Sequence, residues 1–385
     1  MRSTALLLLV ANVVSGFVVP IRLTAVNTTQ NSEFPEVATL MHNVWTTTVV
    51  IGNPGQVFNV AIDTMSSFLF IPDKTCTSGG CAGKNLYDSS KSSTYHHAGA
   101  SFHETTLYGT VQGSIGNDTV VLGEHMPASG VSVLVAGATF GQATVIPGSL
   151  PNGIDGILGL ALLPLSPRGT TPVFETAIKN HAVSNGTFTI WLEDQWATDD
   201  NGTEGVIYYG NIDPLHCILN QRHMYPLTNA ELFQFTTPSV SVGANYKYNQ
   251  RTQTIVDSTS PFIAAPNAFI QNVLSQIGLP RSTQLPAVVP CDLQIDIAFN
   301  FAQGTEHINQ LNLVYKEADG TCILALIESP ISQKGNIQFF ELGHPFLRGR
   351  CTYFDVAGQK VGFGPPITHG PHFPPTTAIP VTMMG

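Results

Sequence analysis

The sequence is short of charge, and above all of positive charge. Only 11% of its 385 residues are charged, and 16 lysines and arginines face 26 aspartates and glutamates. This balance argues against a nucleic-acid partner, which needs a basic face on the protein. Because 43% of the residues are hydrophobic, a disordered or coiled-coil protein is disfavoured as well. A low charge content is also compatible with an acidic compartment, in which carboxylates lose their charge.

Long apolar runs are missing too, apart from one at the start of the chain. Residues 1–16 read MRSTALLLLVANVVSG, with Arg2 ahead of an apolar stretch over Ala5–Val14. This pattern is typical of a secretory signal peptide cleaved near Ser15 or Gly16. A membrane anchor is the weaker alternative, because a membrane-spanning helix needs about 20 apolar residues. We therefore expect a secreted protein, in the extracellular space or a digestive or lysosomal lumen, with no membrane contact.

Cysteine is scarce, but the six cysteines are even in number, which favours disulfides in an oxidising compartment. Cys76 and Cys81 enclose a small TSGG turn that a disulfide could close. Half of a metal site is the weaker interpretation, because no second close pair of Cys or His completes it. Residue spacing leaves the connectivity open. Four sequons for N-linked glycosylation agree with a secreted chain, at Asn27, Asn117, Asn185 and Asn201.

One segment of the chain occurs twice. AIDTMSSFLFIP at residues 61–72 is matched 194 residues later by IVDSTSPFIAAP at residues 255–266. Each copy has an apolar approach to one aspartate, Asp63 or Asp257, followed by hydroxyl, phenylalanine and proline residues at the same spacings. Two copies so far apart indicate a doubled unit, because an array repeats every 20–50 residues or so. We therefore expect Asp63 and Asp257 to meet in space.

Strand patterns dominate the rest of the chain. Runs rich in β-branched and aromatic residues predict strands at 45–51, 57–62, 68–71, 118–122, 131–136 and 206–210. Two helices are predicted. The first covers Thr171–Asn180, with a threonine cap and a proline at its first position, and the second covers Asn267–Ile277 and ends at Gly278.

The polar run Asp194–Gly205 looks like a surface connection between two lobes of ordinary domain size. The tail is rich in Pro and Thr and has no Asp, Glu, Lys or Arg, so we expect it to be unstructured. The predicted organisation is a signal peptide at 1–16, a short segment at 17–33, an N-terminal lobe at 34–205, a C-terminal lobe at 206–366 and a tail at 367–385.

Each aspartate segment is followed by a second shared element. Ile157-Leu158-Gly159 follows Asp63, and Glu341-Leu342-Gly343 follows Asp257, with Glu341 in place of the first apolar residue. Together with IDGILGLA at 154–161 and LGHPFLRGRCTYFDVAGQKVGFGP at 342–365, these residues resemble the pepsin-like aspartic peptidases from residue 34 to about residue 366. The resemblance implies an all-β fold, a bilobal pepsin-like double β-barrel with a few short helices and a cleft between the lobes.

The resemblance also implies a catalytic dyad of Asp63 and Asp257, which would hold a water molecule for attack on a peptide carbonyl. Two carboxylates at hydrogen-bond distance cannot easily both ionise, so they share a proton. One carboxylate then serves as base to the water while the other donates to the carbonyl oxygen. The implied ligand is an extended peptide or protein, bound by a monomer, and no cofactor or metal is implied.

Supporting residues follow from the same resemblance. Thr64 and Ser258 are similar to the hydroxyl residues that cross-brace the two aspartate loops. Ser66 and Ser260 are similar to those that bond the outer carboxylate oxygens, and Tyr108 is similar to the tyrosine of the β-hairpin flap. The implied disulfides are two that are general in the family and one found in some worm digestive members, namely Cys76–Cys81, Cys291–Cys322 and Cys217–Cys351.

Several positions depart from the family pattern. Met65 and Thr259 stand where the family has glycine, and we expect their side chains to crowd the cleft floor and twist the peptides that bond the carboxylates. A displacement of about 1 Å can lower a rate on the order of 100-fold. Phe70 stands for a tryptophan that supports the flap tyrosine, and phenylalanine has no hydrogen-bond donor. His344 stands for an aspartate.

The chain also lacks the basic inhibitory segment of the family zymogens. Between Phe17 and Asp63 it has one basic residue, Arg22, and no lysine. A mispredicted gene start is the simpler explanation, against which the signal-peptide pattern argues. His96, His97 and His103 lie close together, but a metal site needs geometry that a sequence does not give.

Two functions of different classes follow from the sequence. The first is a secreted aspartic endopeptidase that is active in acid, because both aspartates and their bracing hydroxyls are present. The second is an inactive pseudopeptidase that uses the cleft as a peptide- or protein-binding scaffold. The departures at Met65, Thr259 and Phe70 favour this second function.

Overall fold

The computed structural model of the protein describes residues 17–25, 43–123, 132–194, 205–308, 310–317, 319–329 and 339–367. The predicted signal peptide and all but the first residue of the predicted tail lie outside the described residues, as do Asn27 and Asn201. In the described ranges strands dominate and helices are short, which confirms the predicted all-β class.

The strands and helices are numbered in chain order. The strands of the first half are β1 (Phe17–Ala25), β2 (Asn43–Ile51), β3 (Gln56–Asp63), β4 (Phe70–Pro72), β5 (His96–Thr106), β6 (Gly109–Leu122), β7 (Val133–Val145), β8 (Gly156–Gly159), β9 (Thr187–Leu192) and β10 (Gly205–Tyr209). The helices of the described ranges are α1 (Val173–Lys179), α2 (Asn267–Gln276), α3 (Gln310–Leu313) and α4 (His344–Leu347), with single 3-10 turns at Gly79–Cys81, Ser89–Lys91 and Leu163–Leu165.

The second half of the chain consists of shorter strands. They are β11 (His223–Pro226), β12 (Gln234–Thr237), β13 (Ser239–Val242), β14 (Tyr246–Tyr248), β15 (Thr252–Val256), β16 (Ile263–Ala265), β17 (Val288–Val289), β18 (Ile297–Asn300), β19 (Thr305–Ile308), β20 (Val314–Lys316), β21 (Cys322–Leu324), β22 (Leu326–Glu328), β23 (Phe339–Leu342), β24 (Arg350–Asp355) and β25 (Lys360–Gly364).

A 13-stranded sheet runs through the molecule in the order β11-β25-β24-β9-β10-β1-β2-β3-β8-β4-β7-β6-β5. Its middle joins the two halves of the chain, because β24 pairs antiparallel with β9 from Arg350↔Leu192 to Asp355↔Thr187. Three smaller sheets, of five, four and three strands, belong to the second half. The lobe limits predicted at 205 and 206 fall at the start of β10 and stay a prediction.

Both halves repeat one arrangement of four strands. In the first half β3 is parallel to β8, β8 is antiparallel to β4, and β4 is parallel to β7. In the second half β15 is parallel to β23, β23 is antiparallel to β16, and β16 is parallel to β22. Asp63 is the last residue of β3, and Asp257 follows directly on β15. The repeat in the sequence is therefore a repeat in the fold.

Aromatic side chains fill the space between the two halves. Phe188 of β9 stacks on Phe354 of β24, with ring centroids 4.6 Å apart, and meets Phe233 edge to face at 5.9 Å. All three rings are buried. Offset and edge-to-face pairs of this kind stabilise by about 0.5–1.5 kcal/mol beyond the area they bury. A separate cluster of buried apolar residues lies around the predicted flap and includes Phe68, Phe70, Phe102, Tyr108, Val111, Ile115 and Ile157.

Several element boundaries differ from the sequence prediction, and β6 and β7 extend well beyond the predicted 118–122 and 131–136. Helix α1 begins at Val173, and Pro172 is its cap in place of Thr171, because Pro172 has extended backbone with ψ 144°. Strand β4 begins at Phe70, two residues later than predicted. Helix α2 starts as predicted and stops one residue early, at Gln276, and Gly278 follows with φ +77°. Glycine tolerates that conformation, which side-chain-bearing residues rarely adopt.

Three disulfides link the cysteines as the resemblance implied, Cys76–Cys81, Cys291–Cys322 and Cys217–Cys351. Cys217–Cys351 joins residues that are 134 positions apart. Of the three disulfides it closes the longest loop and therefore restricts the unfolded chain most. This set fits an oxidising extracellular or lumenal compartment. Among the described helices, none has the length and apolar character that crossing a membrane requires.

Candidate active site

The loops that follow β3 and β15 are tied to each other by four hydrogen bonds in two matching pairs. Thr64 Oγ1 donates to the carbonyl of Val256 at 2.8 Å and accepts from the Ser258 N–H at 3.0 Å. Ser258 Oγ donates to the carbonyl of Ile62 at 2.9 Å and accepts from the Thr64 N–H at 3.0 Å. Both hydroxyl residues are buried. The two aspartate loops are therefore held face to face by the cross-bracing that the resemblance implied.

Each aspartate is fixed by donors from its own loop. Asp63 Oδ1 accepts from the N–H groups of Met65 at 2.7 Å and Ser66 at 3.2 Å. Asp257 Oδ1 accepts from the N–H groups of Thr259 at 2.8 Å and Ser260 at 3.3 Å. It also accepts from the Thr259 hydroxyl at 2.7 Å. The two carboxylates thus have matching backbone donors, and Asp257 also accepts from the side-chain hydroxyl of Thr259.

Burial makes both aspartates weak acids. Asp63 and Asp257 are 6% and 5% exposed. Loss of solvation, and to a lesser extent the negative charge of Asp257, raise the pKa of Asp63 to about 6 against the lowering effect of nearby donors. Loss of solvation likewise raises the pKa of Asp257. The two carboxyl groups lie close enough for one charge to act on the other, so the pair retains a proton in weakly acidic solution.

The expected twist of the peptides at Met65 and Thr259 is wrong. The described residues other than glycine with positive φ are His181 and Gln359, so neither loop residue needs the conformation that glycine favours. Both N–H groups reach their carboxylates at normal hydrogen-bond distance. Thr259 is buried with its hydroxyl turned to Asp257, whereas Met65 is half-buried. Crowding of the cleft floor by these two side chains stays a prediction.

Ser260 differs from its expected contact with the carboxylate. Ser260 Oγ donates to the carbonyl of Phe262 at 3.1 Å and accepts from the Phe262 N–H at 3.2 Å, so its hydroxyl braces its own loop. The Ser66 hydroxyl lies near Asp63 and lowers its pKa. It makes no hydrogen bond of regular geometry within the described part of the chain. Ser260 therefore serves Asp257 through its backbone N–H.

The flap is the hairpin of β5 and β6, and Tyr108 lies in its turn. Thr106 Oγ1 donates to the Gly109 carbonyl at 2.9 Å and accepts from the Tyr108 N–H at 3.1 Å, which closes the turn. Ser149 Oγ donates to the Tyr108 carbonyl and ties the turn to the lobe below it. Tyr108 is only 7% exposed and belongs to the same buried cluster as Phe70.

The Tyr108 hydroxyl is buried and has no hydrogen-bond partner among the described residues. Phe70 lies in the same cluster and offers no donor or acceptor. Burial raises the pKa of Tyr108 above its usual range, and the charges of Asp63 and Asp257 raise it further. The hydroxyl therefore stays neutral within the field of the two aspartates.

Glu341 is a third buried carboxyl group beside Asp63 and Asp257. The sequence showed it only as a charged residue in place of an apolar one. Glu341 of β23 pairs with Ile255 of β15, and successive side chains of a strand alternate between faces, so Glu341, Ile255 and Asp257 share one face. Glu341 Oε1 accepts from the Ser329 hydroxyl at 3.1 Å. Burial, together with the charge of Asp257, raises the pKa of Glu341 to about 7.

His344 braces the second aspartate loop from below. Its Nε2 lies 3.0 Å from the Ser258 carbonyl, and its backbone N–H donates to the Ser260 carbonyl at 2.8 Å. Burial and the charge of Arg348 together lower the pKa of His344 to about 3, so the neutral ring donates from Nε2 to Ser258. The ring meets Trp45 of β2 edge to face at 6.1 Å, which connects the two halves under the aspartates.

The remaining predicted residues lie away from the aspartates. Asn185 is exposed in a turn, whereas Asn117 is half-buried within β6. His96, His97 and His103 lie along β5, facing Asn117, Gly116 and Gln112 of β6. In the ranges that the structure describes, no group of three or more His, Cys, Asp or Glu side chains is placed to hold a metal ion.

Comparisons with known proteins agree with this geometry. The family model described as eukaryotic aspartyl protease matches residues 44–366. The chain is 32% identical over 325 residues to Aspartic protease 6 of Caenorhabditis elegans, a match that covers 82% of this chain and 80% of that one. It is 30% identical over 327 residues to Pepsin A of Gallus gallus, covering 83% of each chain. It is 29% identical over 324 residues to Pepsin A of Bos taurus, again covering 83% of each chain.

Two independent lines thus lead to one assignment. The match covers both aspartate loops, the β5–β6 hairpin and the two shared elements at 157–159 and 341–343. The two aspartate loops also form the same hydrogen bonds to each other in both directions. The chain therefore belongs to the eukaryotic aspartyl proteases, and its fold is pepsin-like.

Proposed function

We propose that the protein is a secreted aspartic endopeptidase that cleaves extended peptides in acid, with Asp63 and Asp257 as its catalytic dyad. The observation that carries this proposal is the reciprocal hydrogen bonding of Thr64 and Ser258 across the two loops. It aligns two buried carboxyl groups, and each has backbone donors on one oxygen. Such alignment is what activation of a shared water molecule requires.

The chemistry follows from the proton that the pair retains. At a pH below about 6, Asp63 is largely protonated because burial and the Asp257 charge raise its pKa. One member of the pair can then accept a proton from water while the other donates to the carbonyl oxygen of the peptide. Tyr108 would close over the substrate with a neutral hydroxyl that is free to donate. Activity should therefore be highest in acid and fall as the pair loses its proton.

Secretion is part of the same proposal. The apolar run in residues 1–16, the three disulfides and the exposed sequon at Asn185 support it. We propose a monomer that acts in an extracellular, digestive or lysosomal lumen, with lobes at 34–205 and 206–366. Its partner is a peptide or protein substrate, with no nucleic acid and no membrane among its ligands.

The test is cleavage of denatured globin by the purified protein between pH 2.5 and 7. We expect fragments that appear only in acid, are suppressed by pepstatin, and are lost in Asp63→Asn and in Asp257→Asn. A matched control is Asp296→Asn, which changes an exposed aspartate bonded to His307 and should leave cleavage unchanged. Folded protein that produces no fragments at any pH would contradict the proposal.

A second candidate is a pseudopeptidase that binds peptides without cutting them. The half-buried Met65 side chain beside Asp63 and the Tyr108 hydroxyl without a partner among the described residues favour it. This protein would bind pepstatin or a peptide in calorimetry and leave globin intact. Cleavage that appears only in the double variant Met65→Gly and Thr259→Gly would identify the side chains on the cleft floor as the defect.

A further inference from the structure

The two aspartates are unequal because one of the loops carries an additional hydroxyl. Thr259 Oγ1 donates to Asp257 Oδ1 at 2.7 Å, in addition to the backbone N–H of the same residue. The matching position in the first loop is Met65, whose thioether can only accept, and weakly. We propose that Thr259 is a positioning residue that holds the negative charge of the dyad on Asp257 and leaves the shared proton on Asp63.

The count of donors supports this placement of the charge. Asp257 Oδ1 accepts three hydrogen bonds, from two backbone N–H groups and the Thr259 hydroxyl. Asp63 Oδ1 accepts two, both from backbone N–H groups. The Ser66 hydroxyl also lies near Asp63 and lowers its pKa, but it makes no hydrogen bond of regular geometry among the described residues. A hydrogen bond to an ionised group is about twice as strong as one between neutral groups, so the carboxyl group with more donors is favoured as the anion. Thr259 is buried, which keeps competing water away from this hydroxyl.

The titratable groups around Asp257 agree with a charge at that position. From the first loop Asp63 faces it, and from β23 Glu341 does, and the Asp257 charge raises the pKa of both. Tyr108 of the flap is neutral, with its pKa raised partly by both aspartates. His344 of α4 contacts the Ser258 carbonyl of the same loop and is neutral above pH 3 or so. No cation among these groups offers Asp63 a partner that would favour its ionised form.

This placement assigns a direction to the proposed reaction, and in that respect it rests on the proposed function. Asp257 takes a proton from water as the water oxygen bonds to the carbonyl carbon, and Asp63 gives its proton to the carbonyl oxygen. The resulting diol is neutral, and the charge now lies on Asp63. Asp63 then takes a proton from one diol hydroxyl while Asp257 gives its proton to the nitrogen as the C–N bond breaks. The dyad returns to its starting protonation.

The kinetic test compares Thr259→Val with Thr259→Ser. Valine keeps the shape of threonine and removes the hydroxyl, so the pKa of the acidic limb of kcat/KM against pH should rise by about one unit or more. Serine keeps the donor and should restore the wild-type profile. Thr47→Val is the matched control, because Thr47 is buried and its hydroxyl has no hydrogen-bond partner within the described ranges, and it should leave that limb unchanged. Equal acidic limbs for the valine and serine variants would overturn the proposal.

A second measurement does not need activity. The full chain is labelled with ¹³C at the aspartate carboxyl carbons, and the spectrum is followed from pH 2.5 to 7. The anionic dyad signal at pH 4 should be absent in Asp257→Asn, be present in Asp63→Asn, and titrate at a higher pH in Thr259→Val. An anionic signal that persists in Asp257→Asn would refute the placement of charge even in an active enzyme. If the predicted signals appear in a protein that cleaves no substrate, the placement of charge on Asp257 is supported and the proposed peptidase activity is contradicted.

Discussion

At the scale of single residues, burial sets the chemistry of the site. Three carboxyl groups and one imidazole lie in this region, and burial shifts the pKa of each toward the neutral form. They belong to Asp63, Asp257, Glu341 and His344. The two kinds of group act in opposite pH windows. The carboxyl groups lose their contribution to folding as pH rises, and the imidazole loses its contribution as pH falls.

Glu341 gives the clearest pH prediction. Its pKa rises from 4.5 to about 7 on folding, so the folded state holds this proton more tightly than the unfolded state. Its contribution to stability is complete below about pH 4.5 and is lost as pH rises to about 7. The loss is at most about 3 kcal/mol at 1.36 kcal/mol per pKa unit. In Glu341→Gln, which keeps an acceptor for Ser329, the fall in unfolding free energy between pH 4.5 and 7.5 should be smaller by up to that amount.

Urea unfolding at the two pH values measures this difference. Glu328→Gln is the matched control, because Glu328 lies on β22 at the edge of the same sheet and is exposed. This control should show the pH dependence of the wild type. If Glu341→Gln loses stability with pH as steeply as the wild type, the carboxyl group of Glu341 does not carry the proton that we assign to it.

The sequence could point to some of these residues and not to others. Asp63 and Asp257 were predictable because an entire segment recurs around them, and Tyr108 because of the resemblance. Glu341 was visible as a polar residue in an apolar position, but only strand pairing shows which face it shares. The Thr259 contact depends on a side-chain direction, which a sequence does not contain. The same limit led to the wrong expectations of twisted peptides and of a Ser260 bond to the carboxylate.

At the scale of elements, the two four-strand repeats place the aspartates, and the cross-bracing hydroxyls align them. Strand patterns in the sequence located β2, β3 and β10 nearly to the residue, because β-branched and aromatic residues mark them. The parallel pairing of β3 with β8 joins residues about 96 positions apart. No local pattern specifies such a partner, so pairing came only from the resemblance and the fold.

The bracing predicts a specific cost for Thr64→Val. This change keeps the shape of the side chain and leaves the buried Val256 carbonyl and Ser258 N–H without their partner. We expect a loss of about 1–3 kcal/mol in unfolding free energy, because an unpaired buried polar group is not solvated. We also expect kcat to fall more than KM changes, since the loops lose their mutual alignment.

Thr47→Val provides a matched control for that experiment. Thr47 of β2 is buried, and its hydroxyl has no hydrogen-bond partner in the part of the chain that the structure describes. The same substitution there should be neutral or slightly stabilising in urea unfolding. Equal losses in the two variants would mean that the cross-loop hydrogen bonds contribute nothing beyond packing.

At the scale of the whole molecule, the two lobes are joined in two ways. The 13-stranded sheet passes from one half to the other at β24 and β9. His344 and Trp45 meet beneath the aspartates. The doubled motif in the sequence predicted a doubled unit, and the family resemblance implied the cleft between its lobes. It could not predict one continuous sheet, because strands from distant parts of the chain form it.

The central claim is that this architecture brings two carboxyl groups together so that they share one proton. A crystal structure at pH 4 measures this directly, as the distance between the nearest carboxyl oxygens of Asp63 and Asp257. We predict about 3 Å, with one water molecule bonded to both groups. Carboxyl groups that lie too far apart to bind the same water molecule would contradict the account.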